Sequence, residues 1–254
     1  MNMMKRWHFE IDETAVTILC EDPYLLVAKE SIHQSLSTIR KFIQRYPLFG
    51  ITFEPYDPGE KAPPIIVRMC EAAESANVGP MAAVAGTIAE KAVSDMQRAG
   101  AKQAVVDNGG DIAFLLHEEM TIGWYAGGHI HNIGFKLMPR ENIFGICTSS
   151  GTIGPAISLG IADAATVISD NVALADACAT QLGNKIIDAS DEVLKDSIDQ
   201  ISLIPGIDGL IIAVEGRIAM SGHIPEFIRA SVDISKIAKV TSIHSYPSGH
   251  AHTL

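Results

Sequence analysis

Apolar and polar residues alternate in two early runs, WHFEI and TAVTILC, separated by a polar turn at Asp12-Glu13. A period of two predicts a pair of strands, and LLVA just beyond continues the β pattern. The period then lengthens: in SIHQSLSTIRKFIQRYP, Ile32, Leu36, Ile39 and Ile43 recur at helical spacing. ITFEPYDPGEKAPP predicts a short strand followed by a Pro- and Gly-rich loop of roughly 10 residues, which either covers a site or simply connects elements. Helices follow around IIVRMCEAAESA and MAAVAGTIAEKAVSDMQRAG, separated by Asn77-Val78-Gly79-Pro80. The small residues that open the second helix suit close packing.

After Gly100 the pattern is short β runs: KQAVVD, DIAFLLH, MTIGWYA, NIGFKL and NIFGICT, divided by turns at Asn108-Gly109-Gly110 and Gly127-Gly128. ADAATVIS is a further strand, VALADACATQLGN a helix, and DEVLKDSIDQIS another helix. GLIIAVEG and RIAMSG close the pattern as a hairpin turning at Glu215-Gly216. HSYPSGHAHTL, residues 244–254, reads as a flexible tail. Because the β runs follow one another without intervening helices, the expected class is α+β: a single domain over residues 1–254, with a largely antiparallel sheet flanked by helices.

Composition narrows the functional classes. A formal net charge of −11 excludes a general nucleic-acid binder, which needs a basic footprint. It leaves room for a small anionic ligand, because backbone amides and metal ions bind phosphate on acidic proteins. The four cysteines are scattered without a C-x-x-C pair and sit in apolar surroundings, so buried free thiols are expected. MNMMKRWHFEIDE lacks the apolar stretch of a signal peptide, and no run approaches the ~20 apolar residues of a membrane span. A cytoplasmic protein without membrane contact is expected.

Four stretches could carry chemistry. In VVDNGGDIA, Gly109 and Gly110 either make a tight hairpin turn or let a ligand approach the backbone beside Asp111. In ICTSSGTIGP, Thr148, Ser149, Ser150 and Thr152 surround Gly151, which is either an ordinary connection or an anion-gripping hydroxyl loop. His129 and His131 lie on one face of a possible strand, as solvent-facing residues or as a partial metal site. In VALADACATQLGN, Asp176 and Thr180 lie on one helical face, one turn apart. Carboxylate plus hydroxyl is a hard oxygen set that suits Mg²⁺. The alternatives for Asp176 are a solvent face or a bond to a buried backbone N–H. No other charged side chain in residues 172–179 defines a polar face.

Taken in order, these pieces resemble the ApbE-like superfamily of FAD:protein FMN transferases, once linked to thiamine biosynthesis, over about residues 79–215. Gly79-Pro80-Met81-Ala82-Ala83 resembles that family's G-G-I-A-K-G, and Gly109-Gly110-Asp111 its G-G-D. Thr148-Ser149-Ser150-Gly151 resembles A-T-S-G, and Ala175-Asp176-Ala177-Cys178-Ala179-Thr180 resembles A-D-A-L-A-T. The C-T-S-S-G-T form is most similar to a prokaryotic branch without a lipoprotein signal. The resemblance implies Asp176 and Thr180 as Mg²⁺ ligands, with a carbonyl near Ala82 as a third. It implies that Gly79, Ala82, Gly109, Gly110, Asp111, Thr148, Ser149, Ser150, Gly151 and Thr152 line a site for FAD, FMN or another phosphorylated small molecule.

Three family features have no counterpart: the lysine falls at Ala83, the H-I-[IV]-D-P-x-T-G stretch is missing, and so is the N-terminal M-G-T signature. The resemblance therefore leaves three readings: a divergent Mg²⁺-dependent FMN or nucleotidyl transferase, a flavin- or nucleotide-binding protein without catalysis, and a different small-molecule enzyme using His129 or His131. A homodimer through the β-rich N-terminal part is a further expectation, because the early strands have no place in the matched segment.

Overall fold

In β2 (Thr14–Cys20), Val16, Ile18 and Cys20 turn one way while Thr17 and Leu19 turn the other. The same division runs through the strands that follow, and it organises the molecule into layers. The computed structural model describes residues 3–11, 14–127, 130, 132–151 and 160–230. Eight strands form one antiparallel sheet in the order β1-β2-β3-β4-β7-β8-β9-β10. They are β1 (Lys5–Ile11), β2, β3 (Ala104–Asn108), β4 (Asp111–Leu115), β7 (Phe144–Ser149), β8 (Ala164–Ser169), β9 (Ile207–Val214) and β10 (Arg217–Gly222). A second sheet has the order β11-β6-β5, from β5 (Met120–Trp124), β6 (Ile133–Leu137) and β11 (Glu226–Arg229).

One face of the large sheet packs on helices. Val106, Ala113, Cys147, Ala165 and Ile212 join a core with α1 (Asp22–Arg45), α2 (Pro64–Ala76), α3 (Val84–Arg98), α4 (Val172–Lys185) and α5 (Asp191–Ser202). The alternate residues Val105, Phe114, Phe144, Ile146 and Ile211 face the small sheet, where they meet Trp124 and Phe135. Phe114 and Phe144 stack at 5.0 Å between centroids, an aromatic filling of the inter-sheet layer. The expected α+β class is therefore the observed one, with the β runs after Gly100 divided between two sheets.

Several local expectations change. LLVA is not strand: Leu25–Ala28 lie in α1, which begins at Asp22 with Pro23 in its first turn. Its buried positions Ala28, Ile32, Ser35, Ile39 and Phe42 follow the helical period, and Leu26 is left exposed. The predicted strand at ITFE is also absent. A 3₁₀ turn at Pro47–Gly50 leads into non-strand backbone, with Ile51 and Phe53 exposed and no neighbouring strand to pair with. β11 follows the β9–β10 hairpin, so that hairpin does not end the pattern. The N-terminal strands have a place within the chain, because β2 pairs with β3. This removes the ground on which a homodimer through them was expected.

Two glycine-dependent contacts pin α4 to its neighbours. A Cβ on Gly145 of β7 would lie 2.7 Å from Val172, so glycine there lets the start of α4 press onto the sheet. At the other end of α4, a Cβ on Gly160 would overlap the Gly183 carbonyl, and one on Gly151 would overlap the Gly160 carbonyl. The backbone bond from Gly151 N–H to the Ala162 carbonyl (2.9 Å) draws this junction shut. The Asp12-Glu13 turn, Gly128 and the residues of the 244–254 tail lie outside the described residues.

Candidate functional site

Asp111 opens β4 directly opposite Cys147 of β7, so the two side chains leave the sheet on its helix face. The turn that delivers Asp111 consists of Gly109 and Gly110 at φ 73° and 105°, with Asn108 and Asp111 paired on either side. Positive φ at both central positions defines a type I′ hairpin, which glycine adopts without strain. The hairpin reading of this stretch is therefore correct. The same turn also sets a carboxylate beside α4.

Residues 172–179 of α4 are all buried, so its carboxylate has no solvent face. Asp176 is 7% exposed and its Oδ2 accepts the Gly86 N–H at 2.7 Å. The Ala85 N–H also bonds this carboxylate. Ala85 and Gly86 are in the first turn of α3, whose N-cap residue, Ala83, has no side-chain oxygen. Asp176 thus supplies from another helix the acceptor that an N-cap side chain usually provides, and its charge faces the positive end of the α3 dipole. Glycine at position 86 permits the approach: a Cβ there would lie 2.7 Å from both Asp176 Cβ and the Val172 carbonyl. Asn108, 4% exposed, donates its amide N–H to the Ala85 carbonyl at 3.1 Å.

Thr180 lies one turn beyond Asp176 and is partly exposed. The same face continues to Gly183, where a Cβ would stand 3.4 Å from Ser149 Oγ. The line 176–180–183 therefore runs from the start of α3 to the end of β7.

The electrostatics follow from crowding acids in a poorly solvated place. Burial pushes the Asp176 carboxyl up to about 7, against the lowering effect of the Gly86 and Ala85 N–H groups. Burial and then the charges of Asp176 and Asp107 hold Asp111 well above the usual carboxylate range, opposed by the Cys147 thiol and the Thr148 N–H. Asp107 is raised by burial and lowered by the Gly110 N–H, Arg6 and His8. Among the described residues no ion pair joins Asp111 or Asp176 to a basic side chain. A buried carboxylate without a cationic side-chain partner favours either a proton or a cation.

Gly79 and Ala82 belong to the 3₁₀ turn leading into α3, with the Ala82 N–H donated to the Gly79 carbonyl at 3.0 Å. Gly79 is buried against Thr52, whose carbonyl a Cβ would overlap. In the hydroxyl stretch, Thr148 and Ser149 are the last residues of β7 and point to opposite faces. Ser149 meets α4, whereas Thr148 Oγ1 bonds Thr166 Oγ1 at 2.9 Å on the small-sheet side. Thr166 also receives the Trp124 indole N–H at 2.9 Å. Ser150 and Gly151 follow the strand; Thr152, His129 and His131 lie outside the described residues. Gly86, Asn108 and Cys147 were not singled out from sequence. Asn108 read as turn punctuation, and its contact with Ala85 spans 23 residues. A cavity of about 230 Å³ lined in part by Gln97, Lys102, His117 and Arg140 opens at the opposite end of β3 and β4.

This layering of helices, large sheet and small sheet defines a protein of the ApbE flavin transferase fold. The apo flavinyl transferase ApbE of Pseudomonas stutzeri is similar at TM-score 0.51 and 12% identity, covering 86% of this chain and 94% of that one. The ApbE protein of Thermotoga maritima is similar at TM-score 0.55 and 13% identity, covering 90% and 97%. More particularly, residues 1–204 match the model of the family described as AbpE bacteria, and the chain belongs to that family. Its relatives include the UPF0280 protein of Methanococcoides burtonii, 47% identical over 91% of this chain and 98% of that protein. The UPF0280 protein of Methanocella arvoryzae is 45% identical over 93% and 96%. The family match begins at residue 1, so it takes in the N-terminal strands that the motif resemblance left out.

Proposed function

We propose that the chain binds Mg²⁺ at Asp176 and Thr180 together with a flavin nucleotide, FAD or FMN, or a related phosphorylated small molecule. Gly79, Ala82, the Gly109-Gly110-Asp111 turn and residues 149–152 would line the ligand site, with Thr148 contributing backbone only, since its hydroxyl bonds Thr166 on the other face. The observation that carries this reading is the Asp176 carboxylate, buried at the start of α3 beside Asp111, with backbone N–H partners and, among the described residues, no basic side chain paired to it. Among the described residues no three His, Cys, Asp or Glu side chains group closely enough to hold a metal on their own. Mg²⁺ would need only one or two carboxylates there, with water and substrate phosphate completing its shell. Bound there, the ion would offset charge developing on phosphoryl oxygens.

The chain's own residues would do the rest. Asp176 and Thr180 hold the ion from one helical face, and the glycine turn admits the ligand close to the backbone. The similarity in fold to flavin transferases supports a divergent FMN or nucleotidyl transfer as the reaction. One observation favours binding without transfer. Ala83, where the family's lysine falls, is wholly buried and supplies no cation.

Isothermal titration of Mg²⁺ and of FAD, with chromatography of FAD incubations for FMN and AMP, tests both. Binding that is lost in Asp176→Ala and weakened in Thr180→Val supports the site, and turnover then decides between transferase and binder. If wild type and Asp176→Ala bind Mg²⁺ alike, the site is elsewhere.

A further inference from the structure

β3 sends Ala104 and Val106 into the helix-side core, and its next residue on that face is not apolar. Asn108 stands there, nearly fully buried, with its amide directed at the Ala85 carbonyl of α3. That carbonyl does not need the bond for its own sake, since the α-helical pattern already gives it the N–H four residues on, at Ala89. The peptide groups around Ala85 are therefore gripped from two sides. Asp176 of α4 takes the N–H groups of Ala85 and Gly86, and Asn108 of β3 takes the Ala85 carbonyl. Asn108 is also the residue that enters the Gly109-Gly110 turn and pairs with Asp111 across it.

We infer that Asn108 is a positioning residue that couples the glycine turn to the cation corner. It fixes the first turn of α3 against the hairpin, and through the Ala85 and Gly86 N–H groups it fixes the orientation of the Asp176 carboxylate. A cation on Asp176 and a ligand at the glycine turn then each hold in place what the other needs, so each tightens the binding of the other. This inference rests on the proposed site and adds to it the residue that makes its two halves cooperate. Groups that orient a metal ligand typically contribute about 10- to 100-fold to metal affinity.

The test is a titration of Mn²⁺ into the full chain, followed by the electron-spin resonance of the free ion, with and without FAD. Wild type should bind Mn²⁺ more tightly when FAD is present. Asn108→Leu, of similar volume and without donors, should weaken Mn²⁺ binding at least about 10-fold. The tightening by FAD should be lost, while far-ultraviolet circular dichroism is kept. Asn108→Ala is a smaller variant that should behave in the same way. A merely structural asparagine would lower the unfolding midpoint and leave both the affinity of the folded protein and the FAD effect unchanged. The inference is overturned, with the site intact, if wild type binds Mn²⁺ and both variants match it within about twofold. If wild type binds no Mn²⁺, or Asp176→Asn binds it equally well, the site and the inference fall together.

Discussion

Replacing Asp176 with Asn removes a charge from the start of α3 while keeping the side chain's size and one acceptor for the Gly86 N–H. The carboxyl is pushed up to about 7 from an ordinary 3.8 by burial. A carboxyl raised in the folded state binds more protons there than in the unfolded chain, between about pH 4 and about pH 7. Its favourable contribution is therefore full below about pH 4 and is lost as pH rises through that window. Over roughly three pH units this is on the order of 4 kcal/mol in the metal-free protein. Asn avoids that cost but is a weaker acceptor than a carboxylate for the N–H groups at the start of α3, giving back about 1 kcal/mol. With EDTA present, Asp176→Asn should be more stable than wild type at about pH 8 by roughly 3 kcal/mol, and the gap should close toward about pH 4. Urea unfolding followed by circular dichroism across this range measures it. A variant less stable than wild type at about pH 8 would refute the reasoning, because the carboxylate would then be stabilised by its surroundings.

Gly86→Ala should destabilise the fold by about 1–3 kcal/mol, because its Cβ meets Asp176 and the Val172 carbonyl; chemical denaturation reads this directly. Thr166→Val leaves the Trp124 indole N–H and the Thr148 hydroxyl without their common partner. A loss of about 2–4 kcal/mol and a shift in tryptophan emission should follow. All four cysteines are buried, with Cys20 pushed up to about 11 and Cys70 and Cys178 to about 12, burial being the first cause in each. Native protein at about pH 8 should therefore leave Ellman's reagent nearly unreacted, with all four thiols titrating only in denaturant.

The alternation of β2 and the period of α3–α5 were legible because each segment's pattern matches the face that it buries. LLVA misled because four apolar residues in a row fit either period, and the helix was decided by burial of Ile32, Ile39 and Phe42 further along. Asp176 and Thr180 could be placed on one helical face from their spacing, and Gly109-Gly110 could be read as a turn. That the Asp176 carboxylate meets Gly86 could not, since the partners are 90 residues apart and the donor is backbone, which carries no sequence signal. The hydroxyl stretch was half legible. Had the strand been continued to Ser149, simple alternation would have sent Thr148 and Ser149 to opposite faces.

The contacts that join Gly151, Gly160 and Gly183 have a consequence for how such a chain can change over evolutionary time. The ends of the segment between Gly151 and Gly160 are held together by the backbone of the frame, independently of what lies between them. A segment closed in this way can be lengthened or exchanged at the modest entropic cost of a longer loop, a few tenths of a kcal/mol for small insertions. Here the family resemblance leaves a histidine-bearing stretch without counterpart. The molecule thus separates a frame, in which α4 is both core and the helix that carries Asp176, from a stretch of chain whose length the frame does not dictate. A change of length there leaves the contacts of Gly151, Gly160 and Gly183 in place.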